Sequence, residues 1–375
     1  MLESLPDLVI GSLRINPPFI LGGMGVKITD NILAAAVANT GMGGTIASVG
    51  LGHRAAKGKN YVEGSNKALS DEIKMARLKT DGVIGVNIMV ALTNYEELCR
   101  TAAFEKVDYI ISGAGLPFHL PEYVTDESIM LIPIVSSGRA AQLICSKWQS
   151  KYNRLPDAFV VEGVEAGGHL GYNRAEISNW NGGSLENICL DVIQISKKYE
   201  EETGKHIPVI AAGGIFTGQD IGEMLEIGVE GVQMATRFIT TDECSAPDNF
   251  KQAIIDSKKE DMSIILSPVG MLGRAINNDF IKRVNAGQTI PFKCPFQCLR
   301  SCKPKEVPFC IAEAMLNAFD GDIDNGIMMA GYNAYKVHEI LPVAELVNQL
   351  EIEALEYLNR IEIDLLLSCE LETVF

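Results

Sequence analysis

The chain has 375 residues, of which 47% are hydrophobic and 21% are charged, a balance typical of a globular protein with a sizeable core. Its 32 basic and 48 acidic residues give a net charge of −16, which argues against nucleic-acid or anionic-membrane binding, because both need a basic face. No apolar run reaches the roughly 18 residues of a membrane span, and the N-terminus lacks the apolar core of a signal peptide, so we expect a cytoplasmic protein.

Eight short apolar segments alternate with helical patterns in the first two thirds of the chain. These segments are nearly continuous runs of Val, Ile, Leu and Ala, typical of parallel strands covered on both faces. We predict strands at residues 19–23, 44–49, 83–89, 109–114, 131–136, 158–163, 208–214 and 231–238. Helical patterns lie between them, for example at 31–39, 95–104, 140–152, 185–202 and 218–226. The fold class predicted for residues 1–240 is therefore α/β, a (β/α)8 TIM barrel.

A doubly wound open sheet is the competing topology, but its G-x-G-x-x-G first turn is absent from this sequence. Two long connections, 51–71 and 170–183, follow predicted strand ends, and we interpret both as lid or substrate loops. The first connection is basic, with His53, Arg54, Lys57 and Lys59. Residues 241–375 are predicted to form a mostly helical C-terminal appendage, which ends in an acidic amphipathic helix over 351–375.

Small residues follow three of the predicted strands. The sequence Gly22-Gly23-Met24 ends the first strand, and glycine there lets a planar ligand approach the backbone, although a tight turn explains it equally well. Residues 211–215 and 233–237 belong to strands seven and eight, whose ends form the phosphate site of many barrels. This pair of segments indicates a phosphate-bearing ligand, with ordinary barrel packing as the alternative.

Residues 162–169 run out of the sixth predicted strand and contain three glycines, two carboxylates and His169. A polar, glycine-rich segment at a strand end is costly unless it binds something. Because imidazole exchanges a proton near neutral pH, His169 is the best candidate for acid–base catalysis. His53, His119, His206 and His338 lack a comparable setting.

The order of these motifs resembles one family. Residues 18–25, 85–89, 112–115, 162–169, 208–215 and 231–238 follow the pattern of the flavin-dependent nitronate monooxygenases and of their relatives, the FMN-dependent enoyl-ACP reductases. The resemblance covers about residues 15–280 and implies a (β/α)8 barrel that holds one FMN. It also implies that His169 is the catalytic histidine.

The resemblance further implies a set of cofactor-binding residues. Gly22, Gly23 and Met24 would line the flavin ring, and Asn87 would donate or accept a hydrogen bond there. Glu162 and Gly167 would contact the FMN elsewhere. The phosphate would lie against Gly213, Gly214, Gln233, Met234, Ala235 and Thr236.

Some residues depart from the monooxygenase pattern toward the reductase branch. Many nitronate monooxygenases have Gln in place of Glu162 and Ala-Pro-Met in place of Gly22-Gly23-Met24, whereas residues 85–89 and 267–274 look like those of the reductases. We predict an oxidoreductase of nitronate monooxygenase type that uses FMN and O2 on a small-molecule substrate. An enoyl-ACP reductase that uses NAD(P)H is the alternative, although an acidic carrier protein would need a basic docking face.

Four of the nine cysteines are clustered, at Cys294, Cys298, Cys302 and Cys310. Thiolates this close in sequence are able to bind zinc or an iron–sulfur cluster, but their spacing matches neither zinc C-x2-C pairs nor the common ferredoxin run. Packed thiols in a helical subdomain are slightly favoured over a metal site, and a redox disulfide is the third alternative. A flavin and iron–sulfur electron-transfer protein therefore stays open as a third function. A homodimer also stays open.

Overall fold

The computed structural model describes residues 2–55, 60–178, 185–294 and 296–372. The strands, in chain order, are β1 (Leu8–Ile10), β2 (Leu13–Ile15), β3 (Phe19–Leu21), β4 (Gly44–Ala47), β5 (Ile84–Met89), β6 (Tyr109–Gly113), β7 (Met130–Val135), β8 (Phe159–Glu162), β9 (Gly168–His169), β10 (Val209–Ala212), β11 (Gly231–Met234), β12 (Met262–Leu266) and β13 (Leu272–Ile276).

The helices are α1 (Asn31–Ala38), α2 (Gly52–Ala55), α3 (Tyr61–Arg77), α4 (Tyr95–Phe104), α5 (Leu120–Tyr123), α6 (Gly138–Tyr152), α7 (Arg174–Ser178), α8 (Leu185–Thr203), α9 (Gly218–Glu226), α10 (Thr236–Ile239), α11 (Asp248–Ile255), α12 (Asp279–Asn285), α13 (Ile311–Phe319) and α14 (Val343–Glu372). Short 3-10 helices lie at Lys259–Asp261, Ile323–Asn325 and Tyr332–Lys336. None of the helices within the described residues is both long enough and apolar enough to cross a membrane.

Eight parallel strands form the barrel, in the order β3-β11-β10-β8-β7-β6-β5-β4. The circle closes between β3 and the start of β4, where Ile20 and Gly43 form a parallel bridge. Helices between successive strands cover the outside, which is why the strands are apolar on both faces. The predicted α/β class and the (β/α)8 TIM barrel are confirmed.

The barrel interior is filled by side chains, and its amino-terminal end is plugged by the antiparallel hairpin β1–β2. Leu8, Ile10 and Ile15 of the hairpin belong to the same buried cluster as Ile20 and Tyr109 of the barrel. The hydroxyl of Tyr109 donates to the carbonyl of Gly44 at 2.9 Å, so its one polar atom is satisfied inside the barrel. The plug makes this end of the barrel a packed core, and any ligand must enter at the opposite end.

We expect Leu8→Ala to lower the free energy of unfolding by about 2–5 kcal/mol, because it removes a fully buried side chain from a packed core. Urea denaturation would measure the change. The matched control is Leu78→Ala, since Leu78 is 81% exposed and its truncation should stay within about 0.5 kcal/mol of the parent. Equal losses in the two variants would mean that the hairpin does not plug the barrel.

Residues after 240 return to the barrel and pack against it. Strands β12 and β13 form an antiparallel hairpin, and β13 pairs with β9 in the connection that follows β8. The last helix, α14, packs along α9, where a Cβ on Gly222 would lie 2.5 Å from the ring of Tyr357. The C-terminal region is mostly helical, as predicted, and it also contributes this hairpin. The division into units 1–240 and 241–375 stays a prediction.

One strand boundary in the sequence prediction was wrong, and the two long connections contain helices. Strand eight was predicted to reach residue 238, but Ala235 leaves the β region at φ −131°, ψ −65°, and α10 begins at Thr236. The connection 51–71 contains α2 and the start of α3. The few apolar residues on the buried face of α3 are separated by many polar residues, so the sequence pattern did not indicate a helix there. The connection 170–183 contains α7. Lys57, Lys59 and residues 179–183 lie outside the described part of the chain.

Candidate active site

One deep cavity opens at the carboxyl ends of the barrel strands, opposite the plugged end. Every residue assigned from the sequence to the cofactor or to catalysis lines it: Gly22, Gly23, Met24, Asn87, Glu162, Gly167, His169, Gly213, Gly214, Gln233, Met234, Ala235 and Thr236. They come from five separate stretches of the chain, and the barrel brings these stretches together because parallel strands end at the same face.

Two features let ligand and side chains approach the backbone on one wall. A Cβ on Gly23 would lie 2.3 Å from the Cβ of Asn87, so only glycine lets the Asn87 amide occupy its place in the cavity. Gly22 contacts Ala235 in the same way, with 3.0 Å between its ideal Cβ and that of Ala235. The glycines therefore let the Asn87 and Ala235 side chains pack directly against the backbone of this wall, which also lines the cavity.

Another part of the cavity wall is a cradle of backbone N–H groups. Gly213 and Gly214 have φ values of +89° and +91°, which favour glycine. The N–H groups of Gly213, Gly214 and Thr236 find no acceptor within the described ranges. A cradle of free N–H groups at a strand end is the arrangement that barrels use for phosphate.

Two further groups fit a phosphate-bearing ligand. The Oε1 atom of Gln233 is buried and has no hydrogen-bond partner among the described residues, as expected for a group that awaits a ligand. The Arg237 guanidinium, which donates to the carbonyl of Phe216 at 3.0 Å, adds a positive charge beside the cradle. The capping box of Thr217 and Asp220 fixes the chain just beyond the glycine pair. The residues present therefore fit FMN.

Glu162 ends β8, and its side chain faces the cavity. Burial, which removes water from the carboxylate, raises its pKa from the usual value near 4.5 to about 8. The hydroxyl of Tyr172 donates to the Glu162 carbonyl at 2.6 Å and fixes the backbone at this point. In the ligand-free protein at neutral pH, Glu162 is thus mainly an uncharged acid that is able to donate a hydrogen bond.

We expect Glu162→Gln to become progressively more stable than the parent as pH rises from about 4.5 to about 8. In this window the unfolded state ionises Glu162 while the folded state keeps its proton, so the parent loses stability as pH rises. The difference at pH 8 should be on the order of a few kcal/mol. Urea titrations of the flavin-free proteins would measure it. Parallel stability profiles for the two proteins would contradict the assignment.

His169 lies on β9, beside the cavity, and the appendage holds it in place. Its backbone pairs with Gly273 of β13, and its Nε2 atom lies 2.8 Å from the Oγ of Ser267 at the end of β12. Burial lowers the pKa of His169 from 6.5 to about 4, so the imidazole is neutral at pH 7. A neutral ring presents one donor and one acceptor, of which the Ser267 hydroxyl engages one.

Arg274, on β13, holds the segment between Glu162 and His169. Its buried guanidinium donates from Nη1 to the carbonyls of Val164 and Ala166, at 2.5 and 2.9 Å. The same guanidinium lies 5.5 Å from the ring centroid of Tyr332. The β12–β13 hairpin thus fixes both the path of residues 164–166 and the position of His169. The sequence motif at 267–274 was noted as a resemblance only, with no role assigned.

The sequence analysis missed a segment that forms a further wall of the cavity. This segment, residues 327–334, is called the strap here. The Gly331 N–H donates to Thr236 Oγ1 at 2.9 Å, the Tyr332 N–H to the Glu165 carbonyl at 2.9 Å, and the Asn333 amide to the Gly214 carbonyl at 2.5 Å. A Cβ on Gly167 would lie 2.5 Å from the carbonyl carbon of Ala330. The strap therefore explains why residue 167 is glycine.

His53 was given no functional setting from the sequence, yet it lines the same cavity. Its ring packs edge-on against Tyr61 and Phe296, which are stacked on each other with centroids 4.9 Å apart. The Nδ1 atom of His53 is buried without a hydrogen-bond partner in the described part of the protein, and burial lowers its pKa. The local sequence gave no signal for this, because the neighbouring Phe296 is far away in the chain.

The family model described as nitronate monooxygenase matches residues 67–353. A probable nitronate monooxygenase of Staphylococcus aureus strain Newman is 29% identical over 308 residues, covering 73% of this chain and 79% of that protein. Another, from Staphylococcus saprophyticus, is 28% identical over 314 residues, covering 75% and 81% of the two chains.

Solved structures show the same fold. FabK from Thermotoga maritima is 26% identical with a TM-score of 0.71, covering 92% of this chain and 94% of that chain. A nitroalkane oxidase from Streptomyces ansochromogenes is 20% identical with a TM-score of 0.71, covering 92% and 97%. The enoyl reductase domain of MlnA from Bacillus amyloliquefaciens is 14% identical with a TM-score of 0.67, covering 96% and 97%.

Proposed function

The chain belongs to the nitronate monooxygenase family, and from this premise we propose that it binds one FMN and oxidises nitronates or similar carbanions, with O2 as the electron acceptor. Membership of this family makes the protein an oxidoreductase that acts on small molecules. When bound, FMN would accept electrons from the substrate and pass them to O2. The chain itself supplies binding, orientation and control of protons.

The cavity wall with the closest backbone approaches would hold the ring, against Gly22, Gly23, Met24 and Asn87. The N–H cradle of Gly213 and Gly214 and the stretch 233–236 would hold the phosphate. The unpartnered Gln233 Oε1 would accept a hydrogen bond from the ligand. Glu162 would donate a hydrogen bond to the ligand from its protonated carboxyl. Gly167 would only border the ligand, because the strap fills the space beside Gly167.

The position of His169 in this cavity, with its Nε2 atom 2.8 Å from the Oγ of Ser267, is the observation that supports the proposed reaction. A nitronate is an anion, and a site in which both His169 and Glu162 are uncharged at pH 7 does not repel it. His169 would donate a hydrogen bond to a nitronate oxygen from the ring nitrogen that Ser267 leaves free, while Ser267 keeps the ring oriented. In the ligand-free protein, burial lowers the pKa of His169 to about 4, so the ring is neutral at pH 7 before a substrate binds.

Anaerobic mixing of the flavin-loaded protein with a nitronate, with NADH or with NADPH tests the proposal. We expect the nitronate to bleach the visible absorbance of the flavin, and readmitted O2 to restore it. Bleaching by NADH or NADPH without bleaching by a nitronate would overturn the proposal in favour of an enoyl reductase. Failure of all three reductants would overturn both.

An FMN-dependent enoyl-ACP reductase that uses NAD(P)H is the second candidate. The β12–β13 hairpin, which supports His169, favours this second function, because residues 267–274 resemble the reductase branch. FabK from Thermotoga maritima is also 26% identical to this chain. The net charge of −16 opposes it, since acyl carrier proteins are acidic and dock on basic surfaces. Of the basic residues noted after strand two, only His53 has a described side chain, and it faces the cavity.

A further inference from the structure

The clustered cysteines in the connection between α12 and α13 pack in or against the hydrophobic core. Cys298 is buried in this core, and Cys302 and Cys310 pack against it. Among the described residues, no three His, Cys, Asp or Glu side chains are placed so that they could hold a metal ion. A charged group that lacks an ion pair lies elsewhere, beside the N–H cradle.

This charged group is the guanidinium of Arg237. Arg237 is the only lysine or arginine among the described residues that line the cavity. It directly follows Thr236, whose N–H belongs to the cradle. Burial lowers the pKa of Arg237, but a guanidinium keeps its proton at neutral pH. The cavity lining therefore carries one permanent positive charge, in a chain whose net charge is −16.

No carboxylate in the described part of the chain forms an ion pair with Arg237. Glu353 and Glu339 raise its pKa through electrostatic interaction alone, without a direct hydrogen bond. The Glu353 carboxylate instead accepts a hydrogen bond from the Gly218 N–H at 2.8 Å. A partly buried charge without a partner is costly, because it loses contact with water and gains no ion pair in exchange. An anion bound in the cavity would offset this cost.

Phe216 fixes the guanidinium in the ligand-free protein. Nη1 of Arg237 donates to the Phe216 carbonyl at 3.0 Å, and the guanidinium carbon lies 4.5 Å from the centroid of the Phe216 ring. A guanidinium has five N–H donors, so this bond leaves others for a ligand. Phe216 follows the Gly213-Gly214 pair and also lines the cavity. The contact thus joins the two halves of the cradle, one after β10 and one at the start of α10.

Glu165 makes a positive charge necessary for an anionic ligand in the cradle. Its Oε2 atom lies 2.7 Å from the position that a Cβ would take on Gly214, so a carboxylate stands next to the cradle. Arg274 acts on Glu165 electrostatically, but Arg274 donates to backbone carbonyls and does not line the cavity. Without Arg237, a phosphate in the cradle would face a like charge and no opposite charge from the cavity lining.

Given the FMN site of the proposed function, on which this inference rests, we propose that the charge of Arg237 binds the cofactor phosphate and makes the site select FMN over riboflavin. Riboflavin has the same ring system but no phosphate, so it gains nothing from this charge. The backbone N–H groups of the cradle supply direction for the phosphate, and Arg237 supplies the charge that balances it.

The test is the affinity of the flavin-free full chain for FMN and for riboflavin, measured by fluorescence titration. Arg237→Gln removes the charge but keeps a side chain that is able to donate to the Phe216 carbonyl. We expect it to weaken FMN binding about 10–100-fold, the range of a hydrogen bond to a charged group. Riboflavin affinity should stay within about threefold of the parent.

Two further readouts separate the charge from a structural role. Arg237→Lys keeps the charge without the planar fork, so it should recover part of the FMN affinity that Arg237→Gln loses. Raising the salt concentration should weaken FMN binding by the parent more than by Arg237→Gln, because salt screens a charge that the variant lacks.

The matched control is Lys336→Gln. The Lys336 ammonium lies 5.8 Å from the centroid of the same Phe216 ring, but Lys336 does not line the cavity. This variant should bind FMN and riboflavin as the parent does. Thermal unfolding of each variant, together with its riboflavin affinity, would show that it is folded.

An unchanged ratio of FMN to riboflavin affinity in Arg237→Gln would overturn the proposal. Equal losses of FMN affinity in Arg237→Gln and Arg237→Lys would also overturn it, since Arg237 would then serve only to support the turn at Phe216. A parent that binds the two flavins equally well would do the same. The bleaching experiment is read separately, so selective FMN binding without bleaching by a nitronate would overturn the proposed reaction alone.

Discussion

Replacing His169 with alanine is expected to leave FMN bound and to lower turnover of a nitronate about 10²–10⁴-fold, the range typical of a general acid or base. The structure gives the reason for both halves of this expectation. The imidazole faces the cavity from β9, whereas the N–H cradle lies at the ends of two other strands, β10 and β11. Steady-state kinetics and the flavin-to-protein ratio of the purified variant would measure the two effects.

Ser267→Ala tests the orientation of the His169 ring separately from its presence. It removes the oxygen that lies 2.8 Å from His169 Nε2 but keeps the imidazole, so a partial loss of turnover is expected. The matched control is His206→Ala, since His206 pairs with Glu200 and Glu230 on the surface and should be replaceable without loss. Full turnover by His169→Ala would mean that the ring serves only to support the fold.

Replacing Gly213 with alanine is expected to weaken FMN binding by roughly 10–100-fold, which corresponds to about 1.4–3 kcal/mol. Gly213 has a φ of +89°, and its Cβ would lie 3.0 Å from both the Cβ of Ala166 and the carbonyl oxygen of Gly163. Ala166 belongs to the cavity wall, so the added atom shifts the backbone that would face the phosphate. Fluorescence titration of the flavin-free protein with FMN would give the affinity.

Gly228→Ala is the control for backbone strain. Gly228 has a similar φ of +95°, but the nearest atom to its Cβ position, Cδ1 of Ile193, is 4.0 Å away. The control should therefore lose stability from the left-handed conformation without losing affinity for FMN. Equal affinity in Gly213→Ala and the parent would show that the phosphate binds elsewhere.

The barrel was predictable from local patterns, because buried parallel strands are continuous apolar runs whichever ligand the protein binds. The helices at Tyr95–Phe104 and Gly218–Glu226 match their predicted bounds, since both have apolar residues at helical spacing. The end of strand eight was missed because residues 235–238 are compatible with either strand or helix. Their conformation is set by the turn at Ala235 and not by composition.

The cavity residues on the barrel were predictable for a different reason, since strand ends meet at one face in any (β/α)8 fold. The strap and the β12–β13 hairpin were not. Their contacts join residues 95, 98 and 119 positions apart, as in the bonds of Thr236 to Gly331, His169 to Ser267, and Gly214 to Asn333. No local periodicity encodes a contact at such a separation, so the support of His169 was visible only in three dimensions.

The strap also sets the order in which a growing chain would be able to bind the proposed FMN. The ribosome synthesises the residues of the N–H cradle well before residues 327–334, which form a wall of the same cavity. At about 5–20 residues per second, roughly 5–25 s pass between the two. The hairpin that holds His169 emerges within that interval. A nascent barrel is thus complete in outline while its ligand site still lacks a wall, and durable binding of the proposed flavin is expected only after residues 327–334 have been made.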